Sequence, residues 1–291
     1  MIGGTRRIDL LWRARRKGVR IVQRLNGMNW IHRKTRVSWK YYLRSEFNNW
    51  LLKFIRSRLA DRIVYQSEFA RNWWQQTHQI ICGDDAVIYN GVDLQIYSPQ
   101  GGGIPPDDHI RMLLVEANIS GGFEIGLQNA VHLTQTLGKN LSQPVELSVV
   151  GSVPETLKSY WDENGNVWIT WLGSVPGQRI PEIDRSAHLL FSADLNAACP
   201  NSVIEALACG LPVVAFATGA LPELVQEDAG RVLPYGADHW SLQPPDINTL
   251  SLATCEILQD LKHFRQVARR RAEACFSVEK MVNEYLDVLL K

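Results

Sequence analysis

Three things are scarce in this chain of 291 residues: cysteine, long apolar runs and, over its first 62 residues, negative charge. The five cysteines (Cys82, Cys199, Cys209, Cys255 and Cys275) are an odd number with no C-x-x-C pair. That usage speaks against a disulfide framework or a zinc site and suits a reducing compartment. Cys199 reads as a small packed thiol. No apolar run approaches the roughly 18 residues needed to span a bilayer. The opening M-I-G-G-T-R-R-I-D-L-L-W-R has no apolar core of a secretory signal. The expectation is therefore a cytoplasmic protein, or one peripheral to the cytoplasmic face of a membrane. Residues 1–62 hold seventeen of the 31 Lys and Arg but three of the 30 Asp and Glu, about +14, which leaves about −13 for the rest. Such asymmetry points to an anionic partner for the N-terminal part.

What is present centres on Ala197 to Glu223, A-A-C-P-N-S-V-I-E-A-L-A-C-G-L-P-V-V-A-F-A-T-G-A-L-P-E. An apolar run, His188 to Ser192, precedes it and is short enough for a buried strand. Pro200, Asn201 and Ser202 supply helix-start chemistry, and Glu205 follows Ser202 at capping-box spacing. Val203 to Cys209 reads as a short helix closed by Gly210, and Leu211 to Phe216 as the next strand. Strand, helix, strand is the repeating unit of a parallel α/β sheet. Its ligands sit at the carboxyl ends of the strands, where helix N-termini favour anions.

The stretch P-N-S-V-I-E-A-L-A-C-G-L-P-V-V followed by G-A-L-P-E resembles the signature of family-4 (group 1) retaining glycosyltransferases of the GT-B fold. The resemblance implies two Rossmann-like domains with a nucleoside-diphosphate sugar between them. It implies that Glu205 holds the donor ribose and that Asn201, Ser202 and Val203 at the helix start, with Gly219, face the diphosphate. A carboxylate accepting two hydroxyl hydrogen bonds fits that role. Glu205 as a capping residue without a ligand is the plainer reading.

The rest of the chain fits the same frame. Arg20 to Leu25 reads as a strand ending at Asn26-Gly27. In the family a histidine touching the donor sugar often stands where Asn26 does, and Asn26 is otherwise a turn residue. Trp39 to Leu59 carries apolar residues at helical spacing with Lys40, Arg44, Lys53, Arg56 and Arg58 on its flanks, a basic amphipathic helix. Its apolar face packs on a sheet or meets an anionic membrane. Ser67 is placed to cap a following helix, and Val87 to Asp93 reads as a strand ending in an Asn-Gly turn. The Gly/Pro-rich stretch from Ser98 to Pro106 is the domain linker. This gives a partial first domain over 1–98, a nucleotide-sugar-binding domain over 99–276, and a helix over 277–291 crossing back to the first.

Three departures from the family follow. Residues 1–98 are short for a complete first domain, so the chain resembles a transferase with that domain truncated. Ala197 stands where many members have a glutamate eight positions before the one matching Glu205. The loop Glu116 to Phe123 lacks the arginine and lysine that bind diphosphate and offers Ser120-Gly121-Gly122 instead, so backbone N–H groups of Gly121 and Gly122 are the candidates to cradle phosphate. No D-x-D triplet occurs, so neither a metal nor another cofactor is expected. No side chain is nominated as base, because the departing diphosphate can take the acceptor proton. The acceptor implied is a glycan or a lipid-linked sugar. A catalytically inactive relative acting as a binding or scaffold protein is the alternative. Nucleic acid is not an expected partner: no recognised module is present and the aromatics fall at helical spacing.

Overall fold

The computed structural model describes residues 1–80 and 85–290; Cys82 lies outside them. The first unit opens with α1 (Ile8–Arg16), β1 (Val22–Leu25) and α2 (Trp39–Arg58), then β2 (Arg62–Tyr65), α3 (Glu68–His78) and β3 (Asp85–Val87). Its strands pair in parallel in the order β1-β2-β3. Ser38 caps α2 by accepting from the Tyr41 N–H, and Ser67 caps α3 by accepting from that of Ala70. The expected strand at Val87 to Asp93 lies earlier, at Asp85–Val87. Beyond it Val92 makes only a bridge, to Ser277.

The second unit runs β4 (Ile110–Asn118), α4 (Glu124–Asn140), β5 (Val145–Ser152), α5 (Glu155–Asn164), β6 (Trp168–Gly173), α6 (Ile180–Arg185) and β7 (Leu189–Phe191). It continues with α7 (Asn201–Ala208), β8 (Val213–Phe216), α8 (Leu221–Leu224) and β9 (Gly230–Leu233). All six strands are parallel, in the order β6-β5-β4-β7-β8-β9. The chain starts in the middle of this sheet, builds outward one way, returns and builds the other way. The strand order therefore reverses between β4 and β7, and such a reversal opens a crevice at the carboxyl ends.

Alternation along the strands feeds two cores, as a sheet covered on both faces requires. Leu113, Leu190, Val213 and Ala215 pack with the residues of α6 and α7 and with α10 (Leu261–Cys275). Met112, Leu114, Leu147 and Phe216 pack on the opposite side with α4 and α9 (Ile247–Gln259). The final helix, α11 (Val278–Leu290), starts under a Ser277 cap. It sets Tyr285, Met281 and Val288 against Val22, Val64 and Ile88 of the first unit.

Two sequence expectations fail, each for a local reason. The capping box of Ser202 and Glu205 does not form: α7 begins at Asn201 behind Pro200, with no side-chain cap. Glu205 is then one turn inside the helix, too far along to reach back to its first N–H. The apolar stripe of α2 is not a single buried face either. Leu51, Ile55 and Leu59 are buried, whereas Trp39, Leu43, Phe47 and Trp50 are 46–68% exposed. The buried side is partly polar because it holds the neighbouring loops. Asn49 exchanges hydrogen bonds with the Asn29 backbone, and Arg56 donates to the Tyr65 hydroxyl and the Gln79 carbonyl.

Candidate active site

The crevice predicted by the strand order exists. A cleft of about 520 Å³ lies over the ends of β4 and β5 and against the start of α7, lined among others by Glu116, Asp194, Asn201, Ser202 and Glu205. Two features of α7 shape it. Its first N–H groups have no intrahelical acceptor, as in any helix, and Pro200 offers no side chain to cap them. One turn further in, the half-buried Glu205 carboxylate faces the same space. Burial raises its pKa, while a hydrogen bond with Tyr97 acts in the opposite direction.

Two further carboxylates were missed in the sequence. Glu116 lies two residues before the end of the central strand β4, and Asp194 follows β7 across the point of reversal. Burial lifts Glu116 to about 8, helped by the charge of Asp194, and burial lifts Asp194 to about 7. None of the residues lining this cleft, all among the described ones, carries a positive charge. A cleft at the helix start thus contains two acids, Glu116 and Asp194, that burial keeps at least partly protonated near neutral pH.

The remaining candidates are placed as follows. Val203 is fully buried, so only its backbone N–H is available at the helix start. Asn201 accepts a 2.7 Å hydrogen bond from the Asn90 side chain, which also donates to the Cys199 carbonyl. Asn26 is not among the residues lining the Glu205 cleft; it lines a second cavity, of about 290 Å³, between the two units, and Ala197 lines the same cavity. Gly219 is in neither lining. It adopts a φ of +59°, and a β-carbon there would stand 2.5 Å from the Ala197 carbonyl, so its absence lets the loop of Ala197 close on this turn.

Gly121 and Gly122 are also outside both linings. Their N–H groups donate to the two oxygens of Glu124 at 2.9 and 2.7 Å. The turn therefore already binds an anion, supplied by its own helix. Cys199 is 7% exposed, and burial pushes its thiol to about 11, which leaves it an unreactive packing group.

The units are joined by polar contacts as well as by α11. Glu223 of α8 accepts from the N–H groups of Glu68 and Phe69, both at 2.9 Å, and from the Tyr89 hydroxyl at 2.8 Å. A carboxylate of the second unit thus covers the N-terminus of α3 in the first.

Two parallel-sheet units facing each other across a cleft, with a helix N-terminus and a carboxylate at the switch point of the second, define the GT-B class of glycosyltransferases. The Glycosyltransferase Family 4 model matches residues 7–96 and the Glycosyl transferases group 1 model matches residues 120–260. The chain belongs to this group 1, family 4 glycosyltransferase family.

Among curated proteins it is 33% identical over 107 residues to O-antigen chain mannosyltransferase B of Escherichia coli, covering 37% of this chain and 25% of that one. It is 26% identical over 187 residues to D-inositol 3-phosphate glycosyltransferase of Mycolicibacterium smegmatis, covering 62% of this chain and 43% of that one. The chain thus spans less than half the length of either relative. Sucrose-phosphate synthase from Thermosynechococcus elongatus superposes with a TM-score of 0.71 at 19% identity, covering 95% of this chain and 69% of that chain. Anabaena HepE in complex with UDP-glucose gives 0.68 at 17% identity, over 97% and 75% of the two chains.

Proposed function

We propose that the chain transfers a sugar from a nucleoside-diphosphate donor to an acceptor hydroxyl with retention at the anomeric carbon. The observation that carries this reading is Glu205, set one turn inside the uncapped helix α7 and facing the cleft at the strand reversal. In the proposed complex Glu205 accepts from the ribose hydroxyls, and the N–H groups of Asn201, Ser202 and Val203 face the diphosphate. The UDP-glucose held by HepE supports a donor of this class.

The departing diphosphate gains charge as the glycosidic bond breaks, and fixed helix-end dipoles stabilise that charge without rearranging. The acceptor oxygen attacks from the leaving-group side, its bond to the anomeric carbon forming as the phosphate bond breaks. The acceptor proton passes to a diphosphate oxygen. This route uses no metal and no side-chain base. A thermal-shift screen of UDP-, GDP- and ADP-sugars tests the reading. Stabilisation by one of them and by its free diphosphate is the expected result; silence from all of them overturns it.

A second reading, an inactive relative that binds without turning over, is favoured by the uncompensated acids Glu116 and Asp194 beside α7. Donor hydrolysis or transfer measured on a donor found in the same screen separates the two.

The glycine turn belongs to this proposal as a phosphate contact whose donors Glu124 now occupies. Glu124→Gln weakens the internal anion and is expected to raise diphosphate affinity severalfold while leaving free nucleoside binding unchanged. Equal binding of both ligands before and after the change reduces Gly121 and Gly122 to a structural turn.

We also propose peripheral contact with an anionic membrane, and a glycan or lipid-linked acceptor there. No helix among the described residues is long and apolar enough to cross a membrane. On α2, however, Phe47, Trp50 and Phe54 form a stacked, partly exposed aromatic ladder, with Arg6 over Phe47. Four basic residues near the surface contribute about 4 kcal/mol of salt-sensitive attraction, about 1 kcal/mol each. Sedimentation with phosphatidylserine vesicles, but not with phosphatidylcholine vesicles, is expected at low salt and lost at high salt. Binding indifferent to both lipid charge and salt rejects the electrostatic attachment.

A further inference from the structure

The Asn90-Gly91 turn is gripped from two sides. On one side Val92 donates to the Phe276 carbonyl and accepts from the Val278 N–H, at 2.9 and 3.0 Å. A β-carbon on Gly91 would stand 2.7 Å from the Ser277 carbonyl, so glycine lets the chain run this close to the start of α11. On the other side the Asn90 N–H donates to the Cys199 sulfur, 3.4 Å away. The backbone of Asn90 is therefore fixed between α11 and the loop that enters α7.

What its side chain does follows from its neighbours. Arg24 of β1 donates to one atom of the Asn90 amide at 2.5 Å. A guanidinium can only donate, so that atom is the amide oxygen. The amide NH2 group then faces α7. It donates to the Cys199 carbonyl at 3.0 Å and to the Asn201 side-chain oxygen at 2.7 Å. Arg24 is itself held from α11, its Nε donating to the Tyr285 hydroxyl at 2.9 Å. A continuous run of hydrogen bonds thus leads from α11 and β1 through Asn90 to the first residue of α7.

The end of that run bears on the helix start. An asparagine in such a position readily turns its side-chain oxygen onto the backbone N–H two residues ahead. For Asn201 that is the N–H of Val203, one of the donors left open at the start of α7. The Asn201 oxygen instead accepts from Asn90, and α7 has no side-chain cap.

We propose that Asn90 is a positioning residue that keeps the N-terminus of α7 free for the diphosphate. It holds the Asn201 oxygen away from the helix, and Arg24 fixes which way the Asn90 amide faces. Arg24 and Asn90 precede the linker and Asn201 follows it, so the first unit takes part in shaping a site on the second. This inference rests on the donor reading above.

The test measures binding of UDP and GDP by calorimetry, and of uridine and guanosine by ligand-observed NMR, on the full chain. Wild type is expected to bind one diphosphate more tightly than its nucleoside. Asn90→Ala releases the Asn201 oxygen onto the helix start. It is expected to lower affinity for that diphosphate by about three- to tenfold, the worth of one hydrogen bond, with the nucleoside within twofold. Adding Asn201→Ala removes the competing oxygen and regains most of the loss, which a merely structural role for Asn90 does not predict. If Asn90→Ala fails to fold, Arg24→Gln repeats the comparison, because it removes the donor that orients the Asn90 amide. Its loss should likewise be relieved by Asn201→Ala, whereas a loss due only to the missing charge should not. Unchanged diphosphate affinity, equal losses for nucleoside and diphosphate, or a loss that Asn201→Ala does not relieve overturns the proposal. No binding of UDP or GDP by the wild type overturns the donor reading itself, and this inference with it.

Discussion

Glu205→Gln is expected to lower the affinity for a nucleoside diphosphate by roughly 10- to 100-fold, the loss expected when hydrogen bonds to a charged group become neutral ones. The fold should tolerate the change. Glu205 is half-buried and its pKa is raised by that burial, so removing its charge relieves rather than creates a desolvation cost. A melting temperature within a few degrees of wild type is expected. The decisive comparison is a 2′,3′-dideoxy diphosphate, which has no ribose hydroxyls to offer. Wild type and variant should bind it equally, because the interaction removed in one is already absent from the other. A variant that loses as much affinity for the dideoxy ligand as for the normal one places Glu205 elsewhere than on the ribose.

The second large effect is on pH. Glu116 and Asp194 titrate at about 8 and about 7 because burial disfavours their charged forms. In the unfolded chain both ionise near pH 4. Between those limits the folded chain binds more protons, so its stability declines as pH rises from about 4 to about 8 and levels off above. Removing the carboxyl at Glu116 by Glu116→Gln should therefore raise stability on the order of 4 kcal/mol at pH 8 and above, and leave it unchanged near pH 4.

Ligand binding follows the same sign. Protonated acids can donate to a diphosphate, while ionised ones repel it, so diphosphate affinity should fall by about tenfold per pH unit and per proton across the titration. Glu116→Gln should flatten that dependence. A wild-type affinity constant between pH 6 and pH 9 would remove both carboxylates from the diphosphate's surroundings. A fall of that kind would give the acids, in their neutral form, part of the role of the absent arginine and lysine.

How much of this was legible in the sequence depended on the range of the interaction. The parallel sheet was readable because β4, β5 and β8 are runs of apolar residues bounded by turn signals, a local pattern. Helix α7 and the caps at Ser67 and Ser277 were readable for the same reason. The capping box failed because spacing alone does not say where a helix begins, and Pro200 set that start one residue ahead of Ser202. The helix α2 misled because much of its apolar surface is exposed, while Asn49 on its buried side holds the loop at Asn29. Glu116 and Asp194 belong to no local motif. They matter only because the strand order brings them to one cleft, and no window of sequence records that. Glu124 was a further omission, although an acid just after two glycines at a helix start is a signal that can be read.

Glu223 has a bearing on how the protein comes apart. The last acid of the G-A-L-P-E run sits on the first N–H groups of α3, and Arg271 grips its own carbonyl from α10. If the second unit melts, the first two N–H groups of α3 lose their Glu223 acceptor, leaving only the Ser67 cap, and β1 and β2 lose the cover of α11 at the same moment. A three-stranded sheet of such short strands has little to spare. The cooperativity of unfolding therefore extends across the cleft, and the small unit's persistence as an ordered body is a property of the whole chain rather than of its own core.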